Sequence, residues 1–256
     1  MYKINTYGGT DRGKVRANNQ DSICFNQFDK VSQVLAMVAD GVGGHAGGEV
    51  ASKLAVDAVE EYFRKSLLLA HSGAGYSDNW LSQNIDKSIQ LANQQIKQQQ
   101  QKNIKLSSMA TTLVMLVVID DMAGFSCLGD SRLYGWRDNY LTQLSKDQTV
   151  AQQMLDEGAL TEEQASVSPY HHVLTNGLGI QNDIDIKASD LIIKNNDIYL
   201  LCSDGLTNCL TDDAIAEILS TDLELKDKVE ELITAANDNG GQDNISVILI
   251  QCEELI

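Results

Sequence analysis

The chain of 256 residues has a single proline, Pro169, and no internal repeat. Nothing in it reads as a proline-rich linker or a composition break, so one domain over residues 1–256 is expected. No run of about 18 apolar residues occurs, which argues against a membrane-spanning helix. The opening stretch MYKINTYGGTDRGKVR has no apolar core of the kind a secretory signal needs. A cytoplasmic location is the expectation. Cysteine is sparse and odd in number: Cys24, Cys127, Cys202, Cys209 and Cys252, with no C-x-x-C. Both features argue against a disulfide framework and a structural zinc site, and core thiols in a reducing compartment fit better. Basic residues are scarce as well, 19 Lys+Arg against 36 Asp+Glu, for a net charge of −17. Such a chain repels nucleic acid and anionic lipid, so neither is an expected partner. It repels a phosphorylated substrate too, unless cations are supplied locally.

What is present is a set of apolar, β-rich runs bounded by Gly, Asp and Asn. They cover Val31–Ala39, Thr111–Ile119, Gly124–Leu128, Arg132–Trp136, Tyr140–Leu144, Ile198–Cys202 and Asn244–Ile250. Helical spacing falls between them. Val50, Leu54, Val56, Val59, Phe63 and Leu67 mark a helix over Gly48–Leu69. Leu81, Ile85, Ile89, Ala92 and Ile96 mark a second over Asp78–Gln101, whose polar tail is QQIKQQQQK. Shorter helices are expected at Thr149–Gly158, Thr211–Leu219 and Asp227–Ala236. The order is strands, two long helices, strands, then mixed elements. That is no βαβ alternation, and it predicts an α+β fold of antiparallel sheets with helices outside.

Aspartates recur at one kind of place. Asp40, Asp130 and Asp204 end strands, while Asp21 and Asp243 stand before them. A lone aspartate there is usually a turn former. Five, most beside glycine, predict a cluster where strand ends converge. Hard divalent cations take several carboxylate oxygens plus waters, and soft zinc ligands are missing nearby, so Mn²⁺ or Mg²⁺ is the implied cofactor. Two such ions clamp a water between them, lower its pKa and polarise phosphoryl oxygens. They also relieve the repulsion between an acidic protein and an anionic substrate.

The segments R-A-N-N-Q-D (16–21), V-A-D-G-V-G-G-H-A-G-G-E-V-A-S (38–52), A-T-T-L (110–113), G-D-S-R-L-Y (129–134), L-C-S-D-G-L-T (201–207) and G-G-Q-D-N-I-S-V (240–247) resemble the metal-dependent protein phosphatases of the 2C type, the bacterial signalling branch above all. Any one of them is weak, since D-G is an ordinary turn; six in order are specific. The resemblance implies a central antiparallel β-sandwich flanked by helices, four layers in all, with metals at one end. It implies that Asp40 bridges two ions, with the Gly41 carbonyl on one, and that Asp204 and Asp243 complete the first. Asp21 serves the second ion. Asp130, with Asp204, matches a weaker third site. Arg16 matches a phosphate-binding arginine, whose planar fork fits phosphate oxygens. His45 matches a histidine proposed as general acid. Gln20 departs from the pattern, because many members carry glutamate there and an amide supplies no anionic ligand. The implied activity is hydrolysis of phosphoserine and phosphothreonine on protein substrates, by a monomer opposing a cognate Ser/Thr kinase. Residues 146–180 match in place a flap, a loop-rich segment that varies with substrate.

Other readings compete at single positions. Asp130 could pair with Arg132, and His45 could bond locally in its glycine-rich loop. His71, His171 and His172 receive no role. The glycines at 43–44 and 47–48 lack a Walker lysine and the G-x-G-x-x-G spacing. A cysteine-based phosphatase needs five residues between its Cys and Arg, and Cys127 and Arg132 have four. A catalytically impaired binding module on the same fold remains the alternative of another class.

Overall fold

The computed structural model describes residues 2–28, 30, 32–43, 47–71, 76–77 and 79–255. The chain opens with strands β1 (Tyr2–Asp11), β2 (Ser22–Gln27), β3 (Gln33–Ala39) and the short β4 (Gly41–Val42). Two 23-residue helices follow, α1 (Gly47–Leu69) and α2 (Trp80–Lys102). Strands β5 (Ala110–Thr111), β6 (Leu113–Ile119), β7 (Met122–Leu128), β8 (Arg132–Arg137) and β9 (Tyr140–Gln143) come next. Then come α3 (Val150–Asp156), α4 (Glu162–Ser166), β10 (Ser189–Asp190) and β11 (Ile198–Cys202). The chain closes with α5 (Asp204–Thr207), α6 (Asp212–Leu219), α7 (Leu225–Asp238) and β12 (Ile245–Glu254).

Two five-stranded sheets result, ordered β1-β12-β11-β8-β9 and β10-β7-β6-β3-β2, and every pairing is antiparallel. Side chains alternate across each strand, so a strand buried on both faces feeds two cores. In β3, Val34, Ala36 and Val38 enter the core between the sheets, while Leu35, Met37 and Ala39 face α1 and α2. In β12, Ile248 and Ile250 enter the inter-sheet core, while Val247 and Leu249 pack with Leu232 and Ala236 of α7. Three cores stacked in this way give a helix–sheet–sheet–helix order. That is the expected sandwich, and the paired sheets explain why its central strands read as unbroken apolar runs.

The helices begin where the side chains provide caps. Thr149, Thr161 and Thr211 each accept a backbone N–H from the first turn of α3, α4 and α6, and Gln164 completes a capping box with Thr161. Each such cap contributes about 1 kcal/mol. The first strand escapes a periodicity reading. Ile4 is its one fully buried residue and the others are half-buried or exposed, so the alternation that marks a strand is blurred at this sheet edge.

Few cations serve the frame, and those that do are paired. Arg137, at the end of β8, forks onto Asp197 at 2.7 and 2.5 Å and donates to the Ile192 carbonyl. Asp197 is 2 % exposed and also accepts from Lys194 N–H and the Tyr199 hydroxyl. Burial would raise its carboxyl, but Arg137 and the other two donors overcome burial and hold it below the ordinary range. A depressed carboxylate stabilises the fold above its unfolded pKa of about 3.9, and that contribution fades as pH falls through the lower folded value. Asp197→Asn is expected to cost about 1–3 kcal/mol at pH 7. Its deficit against the wild type should shrink below about pH 4. Urea unfolding in chelator at pH 7, 5 and 3 checks this, and a deficit that does not change with pH contradicts it.

Candidate metal centre

The site is assembled at one end of the sandwich, from the residues just outside five strands. Asp40 follows β3. Its backbone is held on both sides: its N–H donates to Thr112 Oγ1 at 2.9 Å, and its carbonyl accepts from Thr112 N–H at 2.9 Å and Thr111 Oγ1 at 2.8 Å. Next to it, Gly41 pairs with Thr111 in the small β4-β5 ladder. A Cβ on Gly41 would collide with the Gly48 carbonyl and approach the Gln20 carbonyl at 2.6 Å. Only glycine lets α1 and the chain before β2 close on this point.

Asp21 and Arg16 lie on the loop between β1 and β2, and Asn244 staples that loop to the far end of the chain. Its side-chain oxygen accepts Gln20 N–H at 2.8 Å, and its amide donates to the Arg12 and Asn18 carbonyls at 2.9 and 3.0 Å. Arg16 Nη2 meets Asp243 Oδ2 at 2.5 Å, although 227 residues separate them. Asp204 begins α5, directly after β11. A Cβ on Gly205 would run into the Asn244 carbonyl, so the glycine after Asp204 permits the contact that brings Asp243 alongside.

Asp130 stands between β7 and β8. Arg132 is not its partner. That guanidinium forks onto Asp147 at 2.7–3.1 Å and donates to Tyr134 OH at 2.9 Å. The pairing of Asp130 with Arg132 that the sequence leaves open is thereby removed. The segment 146–180 lies over the same end. It is pinned by Gln148 N–H to the Gly129 carbonyl and by the Thr111–Leu178 bridge. Together they enclose a cleft of about 640 Å³, whose lining includes Arg16, Asp130, His172, Asp204 and Asp243. His172 has its Nδ1 3.6 Å from Asp204 Oδ2 and its ring against that of His171. No local sequence pattern marks His172, because nothing in a local window shows what a loop will fold onto.

Like charge dominates this end. Asp40 is half-buried, and burial and then the charges of Asp21, Asp204, Asp130 and Asp243 drive its carboxyl well above the ordinary range. Burial raises Asp21 to about 7 despite bonds from Ser246 and Ser203, and it raises Asp130 to about 7 with the help of Asp204. Asp204 alone is held low: burial opposes its charge, but His172 and the Asp40 carboxyl stabilise it. Without a cation, the protein side chains cannot keep all these groups ionised. No three acidic, histidine or cysteine side chains among the described residues already close into a metal cage. They ring a space instead, so backbone carbonyl and water would complete any coordination shell.

Four of the five cysteines are held as thiols by burial, while Cys209 is half-buried in the lining of the cleft. Burial pushes the thiols of Cys24, Cys127, Cys202 and Cys252 up to about 12, so none is an appreciable thiolate at neutral pH. His45 lies outside the described residues. The Gln20 backbone bonds Asn244 and Ser52. Asn244 itself was not singled out by sequence. Its neighbour Asp243 carried the visible signal, and a stapling amide has no pattern of its own.

A carboxylate-ringed cleft with a guanidinium at its edge suits a hydrolase of phosphate esters. The family profile described as "Protein phosphatase 2C" matches residues 8–249. The chain is 34 % identical over 242 residues to the serine/threonine phosphatase stp of Listeria welshimeri, covering 94 % of this chain and 93 % of that protein. The crystal structure of the Mycobacterium tuberculosis serine/threonine phosphatase PstP/Ppp superposes with a TM-score of 0.84 at 32 % identity, covering 99 % of this chain and all of that one. A structure of the PstP catalytic domain in complex with two manganese ions gives a TM-score of 0.81 at 33 % identity, with 99 % and 100 % coverage. This chain belongs to the protein phosphatase 2C family.

Asn244→Ala is expected to release the loop 12–21. Three backbone groups lose their partner, at about 1 kcal/mol each or more where they stay buried. Amide hydrogen exchange across residues 12–21 should speed up well beyond the rest of the protein. Protection equal to the wild type there would refute the staple.

Proposed function

We propose that this chain is a metal-dependent serine/threonine protein phosphatase, one catalytic domain over residues 1–256, that hydrolyses phosphoserine and phosphothreonine esters on proteins. The observation that carries the metal assignment is a pair of orphaned oxygens. Asp21 Oδ1 and Asp204 Oδ1 are buried and have no hydrogen-bond partner among the described residues. Such an atom costs about 1–3 kcal/mol or more, and a hard divalent cation satisfies it. The carboxylate donors suit Mn²⁺ or Mg²⁺ better than zinc, and the two manganese ions of the PstP catalytic domain support the choice.

In this reading Asp40 serves two ions, with the Gly41 carbonyl, Asp204 and Asp243 on the first and Asp21 on the second. Asp130 shares Asp204 in a weaker third site; that Arg132 is already taken by Asp147 supports leaving Asp130 for a cation. Bound ions supply charge neutralisation, Lewis acidity and water acidified enough to attack near neutral pH. The chain's own residues hold and orient. Arg16 grips phosphoryl oxygens: an arginine has five N–H donors, so the bond from Nη2 to Asp243 orients the fork without exhausting it. His45 hands a proton to the departing serine or threonine oxygen. The segment 146–180, with His172 on its inner side, walls the cleft from above. The substrates are phosphoproteins of a cognate Ser/Thr kinase, and the enzyme acts as a cytoplasmic monomer. The relatives, a serine/threonine phosphatase, a protein phosphatase and a serine/threonine protein phosphatase by name, support phosphoprotein substrates.

Two outcomes test the proposal against an inert module of the same fold. Asp40→Asn is expected to lower metal-dependent phosphate release from a phosphothreonine peptide on the order of 100-fold or more, since a ligand shared by two ions weakens both. The same variant should melt no lower than wild type in chelator, because it replaces a carboxyl whose ionisation burial and the neighbouring carboxylates already oppose. Turnover within a few-fold of wild type, or full wild-type activity in chelator, defeats the reading. Arg16→Ala should raise KM and weaken inhibition by inorganic phosphate together, by about 10–100-fold. Unchanged KM and phosphate inhibition would assign Arg16 to the Asp243 ion pair alone.

A further inference from the structure

Two buried serines have no part in the assignments above. Ser203 lies between β11 and α5, Ser246 is the second residue of β12, and both are 0 % exposed. Their hydroxyls converge on one oxygen: Ser203 Oγ donates to Asp21 Oδ2 at 2.8 Å and Ser246 Oγ donates to the same atom at 2.6 Å. The other acceptor near Ser203, the Asn244 carbonyl, is at 3.3 Å. Neither hydroxyl is free to turn away. Ser203 Oγ accepts Ser246 N–H at 3.0 Å, and Ser246 Oγ stands 2.8 Å from Thr10 Oγ1. Because Ser246 commits its only proton to Asp21, Thr10 is the donor in that contact. Thr10 in turn accepts from the Asn19 amide at 2.8 Å. The donors therefore run in one direction, Asn19 to Thr10 to Ser246 to Asp21, and such a chain strengthens each of its bonds.

We propose that Ser203 and Ser246 form a clamp that divides the two oxygens of Asp21. Oδ2 is committed to the protein, and Oδ1, buried and without a partner, is presented to a cation. The serines are positioning residues for the second of the two tighter proposed ions, the one that Asp21 serves, and the inference rests on the metal-dependent reading. Partners that orient a ligand characteristically change metal affinity by about 10–100-fold. A clamp differs in this from two hydroxyls that only satisfy a buried carboxylate: the latter affect stability and leave metal affinity alone. Asp21 otherwise has freedom to rotate about its side chain and to offer either oxygen. The clamp removes that freedom before any ion arrives.

The test is Mn²⁺ titration of the demetallated full chain, with free Mn²⁺ read by electron paramagnetic resonance and folding followed by circular dichroism. In Ser203→Ala and Ser246→Ala one Mn²⁺ equivalent should weaken about 10–100-fold while the other keeps its wild-type affinity. Ser246→Thr, which keeps the hydroxyl, should restore most of the loss. Thr10→Val, at an exposed strand end, leaves both serines in place and removes the upstream donor, along with the acceptor of the Asn19 amide. It should produce a smaller loss at the same ion, and it decides the matter if an alanine variant does not fold. Folded variants that bind both equivalents as the wild type does overturn the clamp. Equal weakening of both equivalents overturns it too, since a clamp on Asp21 acts on one ion. If the wild type takes up no Mn²⁺, the metal-dependent reading falls and the clamp with it, a result distinct from either of the others.

Discussion

The mutual repulsion of Asp21, Asp40, Asp130, Asp204 and Asp243 is the constraint on which this structure turns. Two unit charges about 4 Å apart repel by roughly 4 kcal/mol at an effective dielectric of about 20. Together with burial, such repulsion raises the carboxyls of Asp21, Asp40 and Asp130. The fold answers by fixing backbone as well as by pairing side chains. Asp40 is tied at both its N–H and its carbonyl, and Asn244 holds the loop that bears Asp21 and Arg16. The carboxylates thus stay together although their charges oppose it. A site of this kind is ready for cations and costly without them.

Scarcity of positive charge sharpens the effect. Arg132, beside the site, is spent on Asp147, and Arg137, at the far end of β8, on Asp197, so both guanidiniums serve the frame. Arg16 is different: it is half exposed at the cleft and meets Asp243 through one nitrogen. The one strand pair that joins the two ends of the chain, β1 with β12, explains how Arg16 and Asp243 come to face each other. Distance along the sequence is large, but distance along the sheet is one ladder. The segment 146–180 adds the last wall, and it is fastened to the same strand ends through Gly129 and Thr111.

Much of this was legible before any coordinates. The apolar runs at 113–119 and 198–202 lie where strands form, and the spacing of Leu81, Ile85, Ile89 and Ile96 marks the buried face of α2. Thr211 caps its helix as its residue type suggests. The aspartates flanking strands were visible because acidic residues at the ends of apolar runs need a reason beyond solubility. What escaped lay where local pattern carries little. The first strand sits at a sheet edge with one fully buried side chain, and α4 has five residues and no buried one. Asn244, Ser203 and Ser246 are common residue types, and their role depends wholly on what stands across from them.

Composition and period by themselves determined the class of fold, the absence of a disulfide scheme and the residue types of the acidic cluster. They suffice because burial follows the two-residue period of strands and the 3.6-residue period of helices. Tertiary structure alone decided the pairings: Arg132 with Asp147 and not Asp130, His172 beside Asp204, and two serines on one oxygen of Asp21. The reason is geometric. A hydrogen bond or ion pair depends on a few ångströms between side chains, and residues 182 or 225 positions apart come that close only once two sheets have set the distance between them.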